Sequence, residues 1–167
     1  MGDVVRVQVN VPKLTVNPKE LVNFMLGRLE EMDYEATVKS YKFQDKIDKK
    51  AGGKVPGEIT QVQFMINAFK DIDDYTRFVV DIEFTNDNVK VLKEREKTII
   101  SGESKIIFTS KAETDYNKRW RSNPFLYFLR NIYEKYMYNL RLVELEDKAE
   151  EELFDLAESV KSKLKVK

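Results

Sequence analysis

The sequence predicts an α+β chain in which a curved antiparallel sheet of about six or seven strands packs against a long C-terminal helix, with one further helix after the first strand. Three observations carry this reading. Short stretches of period-two alternation recur between Val5 and Ala112 with brief polar connections. A segment with helical spacing and a clear start signal follows the first of them. From Phe125 to Lys167 neither Gly nor Pro occurs, so nothing there stops a helix.

The elements follow in order. Val5, Val7, Val9 and Val11 alternate with Arg6, Gln8 and Asn10, and Pro12 is expected to end this strand because it lacks a donor for the ladder. Asn17-Pro18-Lys19-Glu20 is a compact helix start, with a capping side chain, a first-turn proline and a carboxylate at capping-box distance. Leu21, Val22, Met25, Leu29 and Met32 then share one face, with Gly27 roughly opposite. Tyr34 to Phe43 reads as a strand whose alternation slips between Val38 and Tyr41, as a bulge would make it. Gln44 to Gly57 reads as a polar loop. Val62, Phe64, Ile66 and Ala68 alternate, as do Phe78, Val80, Ile82 and Phe84, with Asp71-Ile72-Asp73-Asp74 as the turn between them. Asn86-Asp87-Asn88 and Ser101-Gly102 read as further turns, separating weaker strand material at 89–95 and 98–100 from the strand of Ile106, Phe108, Ser110 and Ala112.

Asn123-Pro124 repeats the cap-plus-proline signal and opens the terminal helix. Two apolar stripes run along it. Phe125, Leu129, Ile132, Tyr136, Leu140 and Val143 form the first; Leu142, Leu145, Ala149, Leu153, Leu156, Val160 and Leu164 form the second, about 120–130° away at 100° per residue. A straight helix of this length spans about 60 Å, more than the width of such a domain. Either the helix bends near residues 141–146 and both pieces pack on the body, or it is continuous and residues 144–167 project towards a partner subunit. The whole chain, 1–167, is read as a single domain.

Composition removes several functions. The chain has no Cys and no His, which excludes disulfides, thiolate nucleophiles, Ser-His-Asp and Cys-His catalysis, and His- or Cys-based metal sites. Only carboxylates, Tyr, Lys and Arg remain for catalysis, so an enzyme is the third-ranked reading. No metal site or cofactor motif is present: Asp71, Asp73 and Asp74 lack the spacing of a calcium loop. Asp115, a lone carboxylate at a strand end, reads as part of a solvated turn. Charged residues reach 35%, with 29 basic and 29 acidic side chains. That balance argues against nucleic acid as the principal partner. No stretch reads as a signal peptide or transmembrane span, so the expected location is cytoplasmic.

One segment departs from that balance. Between Tyr116 and Arg141 the cations are Lys118, Arg119, Arg121, Arg130, Lys135 and Arg141, against the single anion Glu134, and aromatic residues interleave with them. Such a mixture suits an interaction surface for a protein, a membrane or RNA. The plainer reading has Phe125, Phe128 and Tyr136 in the core and the cations paired with the acidic residues of 144–158.

The order strand, helix, further strands, long C-terminal helix resembles the START / Bet v 1-like (helix-grip) superfamily over nearly the whole chain. The resemblance rests on element order, without a diagnostic motif. It implies a curved sheet gripping the terminal helix around an apolar cavity, and hence a carrier of a small apolar ligand or lipid. The expected lining is Phe64, Ile66, Phe78, Val80, Ile82, Phe84 and Phe108 from the sheet and Phe125, Leu129, Ile132 and Tyr136 from the helix, with Trp120 and Arg121 at the mouth. The alternative is an interaction module that uses the 116–141 segment and the terminal helix, with a second copy or another protein as partner.

Overall fold

The alternation that begins at Val5 continues past the proline: strand β1 runs Val5–Val16, and its pairing shifts between Val11 and Leu14. Pro12 does not end the strand because β1 is an edge strand and carries a bulge at this point, the two settings in which a sheet accommodates proline. The computed structural model describes residues 4–48, 53–94 and 97–164, with side chains described outside 12–13, 15–16, 43–60 and 87–101.

Helix α1 (Pro18–Glu31) starts as its sequence predicts, with the Asn17 side chain accepting from the Lys19 backbone N–H at 3.0 Å. Strands β2 (Glu35–Asp48), β3 (Gly53–Asp71), β4 (Thr76–Glu94) and β5 (Lys97–Thr114) follow. The sheet order is β1-β5-β4-β3-β2, and every neighbouring pair is antiparallel. The slip anticipated between Val38 and Tyr41 is a register shift between Val38 and Ser40.

Among the described residues the sheet has five strands rather than six or seven, because two segments read as turns are strand interior. Asn86-Asp87-Asn88 lies within β4, where the register with β5 shifts between Asp87 and Lys90. Polar residues that favour turns here accommodate a bulge instead of a reversal. Ser101-Gly102 lies within β5, paired with Thr15 and Leu14 just past the bulge of β1. The weaker strand material flanking these signals is the end of β4 and the start of β5, and residues 95 and 96 lie outside the described residues. The polar stretch 44–57 is largely strand as well; its centre, 49–52, lies outside the described residues.

Alternate side chains of the three central strands point to one buried face: Phe64 and Ile66 from β3, Phe78, Val80, Ile82 and Phe84 from β4, Ile106 and Phe108 from β5. Phe64 and Phe84 stack there with ring centroids 4.6 Å apart. Leu21, Val22, Met25 and Leu29 of α1 join the same core. So do Leu145, Ala149, Leu153, Leu156 and Val160 of the terminal helix. Glu152 clamps the layers together, accepting from the Tyr34 hydroxyl at 2.7 Å and from Lys70 Nζ at 3.0 Å. Burial, then this acceptor, pushes the Tyr34 phenol well above its ordinary range.

The C-terminal helix is unbroken through 141–146 but is not regular throughout. Helix α2 (Pro124–Tyr133) passes through a π turn (Glu134–Tyr138) into α3 (Asn139–Leu164), with right-handed backbone at both junctions. An i→i+5 turn uses one residue more than an α turn, about 100° of phase. That extra residue brings Arg130, Glu134 and Tyr138 into line with Leu142, Leu145 and Ala149, so one continuous face meets the sheet. The two apolar stripes are therefore different faces of one helix, the second turned to the sheet and the first away from it, rather than one buried stripe that changes phase. Deleting Met137, whose side chain is 77% exposed, should let this turn close as α-helix while both flanks keep their faces. Urea unfolding of the deletion variant should give a stability within about 1 kcal/mol of the parent. A loss of several kcal/mol would mean that the wide turn itself is required.

Candidate interaction surface

The π turn sits above a polar and aromatic cluster built by three chain segments. The first is the turn after β3. Asp73 Oδ1 accepts from the backbone N–H groups of Tyr75 and Thr76 at 2.8 and 2.7 Å, closing the reversal. Its other oxygen accepts from Arg141 at 3.2 Å and from the Tyr138 hydroxyl at 3.5 Å. Burial pushes the Asp73 carboxyl up, but these backbone donors and Arg141 more than offset it, so it titrates below its ordinary range.

The second segment is the end of β5. Asp115 is almost fully buried in a left-handed conformation, φ 49°. Its carboxylate accepts from the Trp120 backbone N–H at 3.3 Å and lies 3.5 Å from Arg121 Nε. It is thus a buried latch rather than part of a solvated turn, and it fixes the 3₁₀ turn Arg119–Arg121 ahead of the helix.

The third is the helix itself. Asn123 caps α2 by accepting from the Leu126 N–H at 2.8 Å. About three turns on, Glu134 Oε1 accepts from the Tyr75 hydroxyl at 2.5 Å, the Thr114 hydroxyl at 2.8 Å and Arg130 Nε at 3.1 Å. Burial pushes this carboxyl up; the two hydroxyls and the Arg130 charge bring it below its ordinary range. The Tyr138 hydroxyl bonds the buried Thr76 hydroxyl. Tyr133 stacks on Trp120 at 6.1 Å and on Tyr138 at 5.5 Å, and Tyr75 meets both tyrosines edge-on. Beside this cluster opens a cleft of about 190 Å³ lined by Asp74, Tyr75, Asp115, Asn117, Arg119, Trp120 and Tyr133.

These contacts determine which way the helix faces. With Arg130, Glu134 and Tyr138 turned inward, the first apolar stripe turns outward. Phe125, Ile132, Tyr136, Leu140 and Val143 are exposed, Tyr136 and Leu140 by 71% and 82%, and Leu129 is half-buried. Phe128 and Met137 extend the same exposed surface.

The residues expected to line one cavity therefore fall into separate places. The seven sheet residues, Phe64, Ile66, Phe78, Val80, Ile82, Phe84 and Phe108, are in the core. The four helix residues, Phe125, Leu129, Ile132 and Tyr136, lie away from them on the outer row, and the second stripe meets the sheet instead. Trp120 lines the cleft, and Arg121 is exposed beside it. The cations also find other partners than expected. Arg121 pairs with Asp115, Arg130 with Glu134 and Arg141 with Asp73, because the unbroken helix carries its acidic half away from them. The cluster of Tyr75, Thr114, Arg130, Glu134 and Tyr138 was not anticipated. Its one signal in the sequence is Glu134, the lone anion of the basic segment, four residues after Arg130.

Among the described residues, no group of acidic side chains is placed to hold a metal ion, and no helix is long and apolar enough to cross a membrane. No protein-family model matches the chain, and no curated protein is significantly similar to it.

Proposed function

We propose that this chain is an interaction module whose working surface is the outer face of the terminal helix. The observation that carries this reading is the exposed row Phe125, Ile132, Tyr136, Leu140 and Val143 on a helix whose opposite face is buried. With the flanking Phe128 and Met137, the row sets seven exposed apolar side chains along one helix, where single scattered ones are the norm on a monomer. The cluster beneath the π turn serves this surface by fixing the helix's rotation.

The absence of cysteine makes a direct test clean, because Leu140→Cys takes one solvatochromic label at one site. The emission should shift to the blue when the face is covered, whether by raising the protein concentration, adding anionic vesicles or adding a candidate protein partner. A label at Lys111→Cys, exposed on the far side of the sheet, should not respond. Water-like emission from position 140 under every condition would dismiss the reading.

A second reading, a carrier of a small ligand, is favoured by the cleft beside Trp120 and by the order of elements that resembles the helix-grip superfamily. Its walls would be Tyr75, Trp120 and Tyr133 rather than the sheet residues.

A further inference from the structure

We infer that the occupant of this outer face is a second copy of the chain, packed helix against helix in antiparallel orientation about a two-fold axis. The inference rests on the reading of the face as an interaction surface and goes further by naming what covers it. Three observations support it.

The first is size. A standard stable interface buries about 800 Å² per partner, and every residue of the exposed row and its flanks, Phe128 and Met137, is between 39% and 82% exposed and available to contribute. The second is pattern. Phe125, Leu129 and Ile132 ahead of the π turn, and Tyr136, Leu140 and Val143 from that turn on, each recur at intervals of three and four residues, the spacing with which one helix meshes with another, and all but Leu129 are exposed.

The third is charge, and it sets the direction. Ahead of the row lie the exposed cations Lys118, Arg119 and Arg121; beyond it the outer face carries the exposed acids Glu144, Asp147 and Glu151. A parallel pair would set cations against cations and acids against acids. Antiparallel packing centred between Ile132 and Tyr136 brings Phe125 of one copy to Val143 of the other. It also brings each cationic end to the partner's acidic stretch, near Arg121 against Asp147. A face that matches itself in this way is what a closed two-fold dimer needs, and it leaves no apolar row open for further growth.

Sedimentation of the full chain from about 1 to about 100 μM should show a species of twice the 19.7 kDa chain mass, dissociating on dilution. The double variant Tyr136→Glu/Leu140→Glu should sediment as a monomer at every concentration. Its far-UV circular dichroism should not change, since both side chains are exposed in the single chain. Orientation is read by cysteine pairing. Ile132→Cys, near the axis, should cross-link with itself under mild oxidation. Phe125→Cys should cross-link when mixed with Val143→Cys but not with itself.

A Phe125→Cys self-link would overturn the antiparallel arrangement. A dimer that survives the double variant would place the contact elsewhere and overturn the inference. A monomer at every concentration would overturn it too. In that case a blue shift of the position-140 label on anionic vesicles would leave the interaction surface standing with a membrane as its occupant. Water-like emission would remove both.

Discussion

Leu153→Ala should lower the unfolding free energy by about 3 kcal/mol, whereas Leu140→Ala should change it by less than about 0.5 kcal/mol. The two leucines lie on one helix and have equal helix propensity, so their difference isolates the faces they occupy. Leu153 is 1% exposed in the core that α3 shares with the sheet; its truncation removes buried methyl groups and leaves a cavity that the layer cannot close. Leu140 gives up little on truncation in the single chain. Urea unfolding at dilute protein, where association does not contribute, measures both. Similar losses for the two variants would mean that the helix is rotated from the orientation described here, and the outer row would lose its meaning.

Glu134→Gln is the second large effect, a loss of about 3 kcal/mol. The carboxylate accepts three hydrogen bonds, and its neutral replacement leaves Arg130, itself 8% exposed, buried without a countercharge. For a chain of this size that lowers the thermal midpoint by roughly 10 °C. Adding Arg130→Met should recover part of the loss, because an apolar pair has no stranded charge. The same residue governs acid stability. Glu134 titrates lower in the folded chain than in the unfolded one, so the unfolded chain binds its proton first as pH falls. Its contribution is complete above the ordinary carboxylate range, about pH 4–5, and is lost as pH drops through the lowered folded value. Asp73 adds to stability with the same sign. Parent and Glu134→Gln stabilities should therefore converge towards acid; a gap that stays constant with pH would assign the loss to shape rather than charge.

What the sequence made legible was what depends on near neighbours. Period-two alternation gives the strands from Val62 to Ala68, Phe78 to Phe84 and Ile106 to Ala112. Both cap-plus-proline starts open helices, and Asp73 turns the chain between β3 and β4. What stayed hidden depends on pairing between distant residues. Whether Asn86-Asp87-Asn88 reverses the chain or bulges is decided by β5 alongside it, not by the three residues. Which of two apolar stripes faces the sheet is decided at the π turn, where Tyr75, Thr114 and Thr76 hold Glu134 and Tyr138 inward. A periodicity count advances 100° at every residue and cannot register the one that is out of step. The helix-grip resemblance implied that the stripe richest in aromatic residues faces the cavity, whereas it faces solvent.

The two irregular edges of the sheet bear on how copies of this chain avoid one another. An open edge strand presents unpaired backbone donors and acceptors to any strand that drifts past, and long flat edges invite stacking without limit. Here β1 carries a proline and a register break, and β2 breaks register three times along its length. A passing strand of regular pitch stays in step with neither for long. These breaks leave neither edge a long flat template, so edge-to-edge stacking has no regular surface along which to spread.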